Sequence, residues 1–237
     1  MEKLSAEEFD LNYEGVLKRL KSAAEKSGRD ISEITLLAAT KTVDADTINY
    51  AIEKGITHIG ENRVQELISK HGLLRPAHSH FIGHLQRNKV RQIMPIVSLI
   101  HSVDSIRLLS TIDKEAARIG RTVGVLLQLH VAQEEAKSGF AVEELMQLAE
   151  NGEFQPFKHV RYRGLMAMAT FTTDTALIAS EFARVASTYA TLLEKQIFPG
   201  ADFNQLSMGM SDDWHIAVEH GATLVRIGTQ IFGPRQY

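Results

Sequence analysis

Lys41 is the residue of this chain best placed to do covalent chemistry. It ends the apolar run Ile34-Thr35-Leu36-Leu37-Ala38-Ala39-Thr40, after which the sequence turns polar through Thr42 and Asp44. A lysine at the last position of a buried strand is costly as a cation. Low dielectric favours the neutral amine, the form that attacks aldehydes. The other end of the chain supplies complementary groups. Ser207-Met208-Gly209-Met210-Ser211-Asp212-Asp213 leads from an apolar stretch into a helical one, and Val225-Arg226-Ile227-Gly228-Thr229 closes another apolar stretch. Exposed amides, glycines and hydroxyls ahead of a helix suit a phosphate. Ser211 reads as the N-cap of that helix, with Asp212 and Asp213 favourable in its first turn. Arg226 is a permanent cation two residues before Gly228. It either pairs with a carboxylate (Asp212, Asp213 or Glu61) or faces whatever the phosphate anchors.

The elements that must bring these groups together are legible as alternation. Short apolar runs at 34–40, 57–60, 80–83, 99–102, 123–130, 163–168, 204–208 and 224–228 predict strands. Amphipathic stretches near 44–54, 63–71, 87–93, 105–119, 142–150, 174–196 and 211–220 predict helices between them. Gly55, Gly72, Gly120, Gly152 and Gly221 each follow a periodic run and read as stops. Pro156 and Pro199 fall in predicted loops, where they break nothing. A further helix over 5–27 opens with a Ser5/Glu8 capping box, carries the stripe Tyr13, Leu17, Leu20 and Ala24, and stops at Gly28. About eight strand–helix units in 237 residues fit a (β/α)8 TIM barrel with an extra N-terminal helix, a doubly wound open sheet being the alternative. No linker-like segment divides the chain, so one domain over 1–237 is expected. In such folds the strand exits converge on one rim. Here those exits are Lys41, Glu61-Asn62, His84, Ser102, His130, Met168, Ser207 and Gly228-Thr229.

Composition narrows the class. Hydrophobic residues make up 44% of the chain and charged residues 23%, with a formal net charge of −3. That balance favours neither nucleic acid nor an anionic membrane. Cysteine is absent, which excludes disulfides, thiolate metal sites and cysteine nucleophiles. The acidic start Met1–Asp10 lacks the apolar core of a signal peptide, and no stretch approaches a membrane span. A cytoplasmic protein is expected. His71, His78 and His80 do not form a tetrahedral ligand set and no HExxH accompanies them, so no metal is expected.

Seven segments in order carry a resemblance. These are Ala39-Thr40-Lys41-Thr42, Gly60-Glu61-Asn62-Arg63-Val64-Gln65-Glu66, His80-Phe81-Ile82-Gly83-His84-Leu85-Gln86, Lys137-Ser138-Gly139, Arg163-Gly164-Leu165-Met166, Ser207 through Asp213, and Val225 through Thr229. Together, from about 10 to 234, they resemble the pyridoxal phosphate homeostasis protein family, the single-domain relatives of the alanine racemase barrel. The resemblance implies a fold-type III barrel that holds pyridoxal 5′-phosphate (PLP) as a Schiff base on Lys41. It implies Ser207, Ser211, Gly228 and Thr229 at the phosphate, and Arg226 near the pyridine nitrogen. It further implies Asn62 and His84 at the rim of the ring, and Met168 packed against it. His130 stands where an asparagine is usual in the related motif, so no role at the fifth strand exit follows.

The chemistry of such a site separates a carrier from a catalyst. An arginine beside the pyridine nitrogen stays protonated and disfavours a proton on the ring, which weakens the ring as an electron sink. Racemases of this fold type add a second acid/base residue, a second domain and a partner subunit. Tyr237 follows Gly228 by nine residues, too few for another domain. None of Tyr13, Tyr50, Tyr162, Tyr189 and Tyr237 lies at a predicted strand exit, Tyr162 being placed before its strand. The expectation is a monomeric PLP-binding protein of vitamin B6 homeostasis without catalytic residues, with apo PLP-dependent enzymes as candidate recipients. The alternatives are a PLP-dependent amino-acid racemase, using Lys41 with His84 or His130, and a phosphosugar barrel with an aldolase lysine.

Overall fold

The computed structural model describes residues 4–134, 138–198 and 202–234; Lys137, Pro199 and Tyr237 lie outside the described residues. Eight parallel strands close on themselves in sequence order: β1 (Thr35–Ala39), β2 (His58–Glu61), β3 (His78–Phe81), β4 (Leu99–Val103), β5 (Val123–Leu129), β6 (Val160–Ala167), β7 (Gln205–Ser207) and β8 (Leu224–Ile227). Pairing of β1 with β8, from Thr35 opposite Leu224 to Ala38 opposite Ile227, completes the ring. Closure excludes the open sheet and leaves no free strand edge.

Outside the ring lie α2 (Ala45–Glu53), α3 (Val64–His71), α4 (Val90–Ile93), α5 (Ile106–Arg118), α6 (Val142–Glu150), α7 (Thr175–Glu194), α8 (Trp214–Glu219) and the short α9 (Thr229–Phe232), which the sequence pattern did not suggest. Each strand is apolar on its outer face, where Ala38, Ile59, Ile100, Val125 and Val225 meet the helices in one continuous core. The lumen holds a separate apolar patch of Leu99, Leu126 and Met166, flanked by the buried polar residues His80, His101, Ser207 and Arg226.

The preceding helix, α1 (Ala6–Lys26), starts at the expected capping box: Glu8 N donates to Ser5 Oγ at 3.2 Å and Ser5 N to Glu8 Oε2 at 2.9 Å. Its buried stripe is Phe9, Val16, Leu20 and Ala24 rather than one through Tyr13 and Leu17. The helix is turned by docking on α8 and α9, where Phe9 meets Phe232 with ring centroids 5.9 Å apart.

Three of the boundaries that differ from expectation bear on the site or its frame. The third strand runs over 78–81 rather than 80–83, because the chain must cross Asn62 at Gly83, where a Cβ would lie 2.1 Å from Asn62 O. The sixth begins at Val160, which places Tyr162 inside the strand. Its polar start is held by pairing with β5 across a bulge at Val125/Leu126. Ser211 is not an N-cap: α8 begins at Trp214, and residues 211–213 form a turn that Asp213 closes by accepting the Met210 amide at 2.5 Å.

Candidate functional site

A cavity of 440 Å³ opens at the C-terminal ends of the strands, bordered by β1, β2, β6 and the loops after β7 and β8. Lys41, Asn62, Met168, Ser211, Arg226, Gly228 and Thr229 all line it. Residues from opposite ends of the chain meet here because β8 pairs with β1.

Lys41 is not the last residue of its strand. β1 ends at Ala39, and Lys41 sits half-buried in the following turn. Thr42 adopts φ 65°, a left-handed conformation unusual for a β-branched residue. An adjoining ionic cluster secures the turn. Thr42 N donates to Glu66 Oε2 at 2.9 Å, and Lys70 Nζ reaches Thr40 O at 2.9 Å, Glu61 Oε1 at 2.8 Å and Glu66 Oε2 at 3.2 Å. Thr40 Oγ1 also donates to Glu61 Oε1, at 2.7 Å. Burial pushes the Glu61 carboxyl up, against the pull of Lys70. Burial acts the same way on Glu66, where the Thr42 amide and Lys70 outweigh it and hold the carboxyl low. Among the described residues, Lys41 Nζ has no hydrogen-bond or ion-pair partner. Lys70 occupies the carboxylates of Glu61 and Glu66. Neither Glu66 nor Lys70 was singled out from sequence, although their i,i+4 spacing on a helix was the available signal.

Opposite Lys41, the loop after β7 folds against the end of β8. Arg226 N donates to Gly209 O at 3.0 Å, and Gly228 N approaches Ser211 Oγ at 3.4 Å. Gly209 has φ 89°, and a Cβ there would lie 2.6 Å from Ala217 Cβ, so only glycine lets the loop settle on α8. Gln230 braces the turn. Its Nε2 donates to Ser211 O, and its Oε1 accepts from Trp214 Nε1 at 3.1 Å and from Arg19 Nη2 of α1 at 3.2 Å. Among the described residues, the amides of Ser211, Asp212 and Thr229 have no intramolecular acceptor. Such a set of free amides beside two hydroxyls is what an oxyanion requires.

Arg226, 5% exposed, pairs directly with no carboxylate among the described residues. It donates through Nη1 to Ser207 O at 2.9 Å and Ser207 Oγ at 2.6 Å, and through Nη2 to Ala167 O at 2.9 Å. Burial lowers its pKa to about 10, with Asp213 pulling the other way, so it stays cationic at neutral pH.

Two expected contacts are not brought to the cavity. Ser207 is fully buried beneath it, its hydroxyl taken by Arg226 and by His101 Nδ1 at 3.0 Å. His84 turns outward to Asp104, 3.4 Å away, and to Ser138 at 3.3 Å. The fifth exit points elsewhere too, since His130 Nε2 lies 3.0 Å from Glu134 O. Ser102 lies within β4 rather than at its exit. No His, Asp or Glu cluster suited to a metal occurs among the described residues.

The arrangement can hold a small phosphorylated molecule with a carbonyl toward Lys41 and a ring toward Arg226. Chain and site together define a class, that of the alanine racemase N-terminal barrel: the model of the alanine racemase N-terminal domain matches residues 17–236. A PLP homeostasis protein of Pseudomonas aeruginosa is 39% identical over 95% of both chains. The structure of PipY from Synechococcus elongatus with PLP bound is 34% identical, with a TM-score of 0.77 over 90% of this chain and 100% of that one. The chain therefore belongs to the pyridoxal phosphate homeostasis protein family. Alanine racemase of Clostridium difficile shares the fold at 13% identity and a TM-score of 0.74, with 98% of this chain covering 58% of the racemase.

Proposed function

We propose that this chain binds pyridoxal 5′-phosphate and takes part in its homeostasis, as a cytoplasmic monomer that holds and hands on the cofactor rather than as an enzyme. The observation that carries this reading is the Lys41 amine, without a partner among the described residues, in one cavity with free amides and the Arg226 cation. Lys41 would supply the amine that condenses with the aldehyde. Ser211, Gly228 and Thr229 would take the phosphate, through charge-assisted bonds of roughly 1.5–3 kcal/mol each. Asn62 would border the ring and Met168 pack on it. Bound there, the group would supply an electrophilic aldehyde and a pyridine electron sink. Arg226, positive at neutral pH, disfavours a proton on the ring nitrogen and so weakens that sink.

A racemase needs a second proton-transfer group opposite the lysine, worth roughly 10²–10⁴ in rate. The described tyrosine hydroxyls with a partner are engaged away from the cavity: Tyr50 with Asp10 at 3.1 Å, Tyr162 with Phe154 O at 2.8 Å and Tyr189 with Phe203 O at 3.1 Å. His84 and His130 are likewise directed elsewhere.

The test is an absorption spectrum of the purified protein loaded with PLP, before and after borohydride. A near-ultraviolet to violet band that reduction bleaches, with the pyridoxyl group fixed on the Lys41 peptide, is expected. So are transfer of PLP to an added apo-enzyme and no racemisation of L- or D-alanine. An adduct confined to another lysine overturns the site; multiple-turnover racemisation lost in Lys41→Ala overturns the carrier.

A further inference from the structure

Three histidines from neighbouring strands, His58 half-buried and His80 and His101 buried, form a continuous chain that ends on the cavity arginine. His58 Nδ1 lies 2.9 Å from His80 Nε2, His80 Nδ1 lies 2.8 Å from His101 Nε2, and His101 Nδ1 lies 3.0 Å from Ser207 Oγ. Arg226 Nη1 then donates to that same oxygen at 2.6 Å. We infer that His101, backed by His80 and His58, is a positioning residue for Arg226: a neutral, one-way hydrogen-bond chain that fixes the Ser207 hydroxyl as acceptor and holds the guanidinium against the cavity with no carboxylate bonded to it among the described residues.

The direction of the chain follows from donor arithmetic. Guanidinium only donates, so Ser207 Oγ must accept from it. A hydroxyl has one hydrogen, and among the described residues the remaining partner of this one is His101 Nδ1. That nitrogen is therefore an acceptor, and the His101 proton sits on Nε2, facing His80 Nδ1. The same step repeated puts the His80 proton on Nε2, facing His58 Nδ1. All three rings are then Nε2–H tautomers, and every bond in the series has one donor and one acceptor. The reverse assignment strands the Ser207 hydrogen in a fully buried position. A second proton on His80 would oppose two N–H groups across its bond to His101, and one on His101 would face the Ser207 O–H.

Burial acts in the same direction. It pushes the His80 imidazole down to about 3 and His58 to about 4, each helped by neighbouring histidines, and His101 well below the ordinary value, helped by His80 and Arg226. His78, stacked on His58 with centroids 4.7 Å apart, adds a like group rather than a carboxylate. The chain is not a proton conduit into the site, because it terminates on a guanidinium that keeps its protons. What it provides is orientation. A carboxylate in place of Ser207 would grip Arg226 equally well, but would cancel the charge presented to the cavity.

This inference concerns the unliganded chain, so it stands or falls separately from the cofactor reading. The test is two-bond ¹H–¹⁵N correlation on imidazole-labelled protein, with no ligand added. We expect His58, His80 and His101 each as the Nε2–H tautomer, unchanged across the ordinary histidine range of about pH 5.5–8. An Nδ1–H tautomer at His101, or a doubly protonated ring at His80 or His101 in that range, overturns the proposal. In the same samples, the Arg226 guanidinium should show separate, slowly exchanging Nη resonances. His101→Phe removes the acceptor and should lose that separation. His101→Asn offers a carbonyl to the Ser207 proton and should restore it. Unchanged Arg226 resonances in a folded His101→Phe variant overturn the positioning role; if that variant does not fold, the tautomers of the native chain still decide.

Discussion

Lys41 and Arg226 face one cavity, yet the walls behind them are built on opposite principles. The Lys41 wall is ionic. Lys70, its side chain 12% exposed, bridges Glu61 and Glu66 beside the turn that carries Lys41. The Arg226 wall is neutral, made of two backbone carbonyls, a hydroxyl and imidazoles. The difference suits the roles proposed for the two cations. An amine that attacks a carbonyl has to be free of carboxylates, so nearby acids need another partner. A guanidinium that only presents charge is best held by groups that do not cancel it.

Substitutions can break this comparison, and the largest effect belongs to the ionic wall. Lys70→Met leaves the buried Glu61 without a cation and Glu66 with only the exposed Arg63, 3.9 Å away, and about 3–5 kcal/mol of stability should be lost in urea unfolding. A loss below about 1 kcal/mol would mean that the cluster is solvated and does not hold the Lys41 turn. Arg226→Met, by contrast, leaves neutral acceptors unpaired and should cost about 1–3 kcal/mol. If it proves as damaging as Lys70→Met, the neutral wall is not neutral.

Acid sharpens the contrast. His80 is held at about 3 in the folded chain and titrates near 6.5 when unfolded. The unfolded state therefore binds the extra proton first. Stability is unaffected above about pH 6.5 and falls by up to about 1.4 kcal/mol per pH unit below it, until about pH 3. His80→Asn should flatten that part of the profile by one proton's worth; an unchanged slope would place the acid sensitivity elsewhere. The smallest effect is local. Thr42→Gly relieves a left-handed backbone at the cost of chain entropy, for a net gain of at most about 1 kcal/mol. A clear loss would show that the Thr42 hydroxyl, which donates to Lys41 O at 2.6 Å, is needed to form the turn.

The fold was legible because apolar runs and amphipathic stretches alternate strictly, and the meeting of Lys41, Asn62 and Arg226 around one cavity was legible because strand exits converge. What an exit position does not encode is direction. Ser207 closes β7 but points into the lumen, and His84 lies past β3 and swings outward to Asp104. Polar strand starts such as His78-Ser79 and Arg161-Tyr162 carry no apolar signal, since pairing with neighbouring strands holds them. The histidine chain was illegible for a related reason. His58, His80 and His101 belong to three strands, and only the stagger of those strands around the barrel brings their rings together.

The brace at Gln230 has a consequence that reaches the far end of the chain. Arg19 touches Gln230, Gln230 grips Ser211, and Asn12 donates to Ile231 O at 3.3 Å. The first helix is thus coupled to the anion cradle by two side chains rather than resting beside it. By linkage, a ligand at a hundred times its dissociation constant stabilises the state it binds by about 2.7 kcal/mol. Part of that falls on the undocking of α1, so loading should slow its proteolysis and amide exchange. The element outside the barrel becomes a gauge of whether the barrel is full, and its release a route by which the cradle can loosen without any strand giving way.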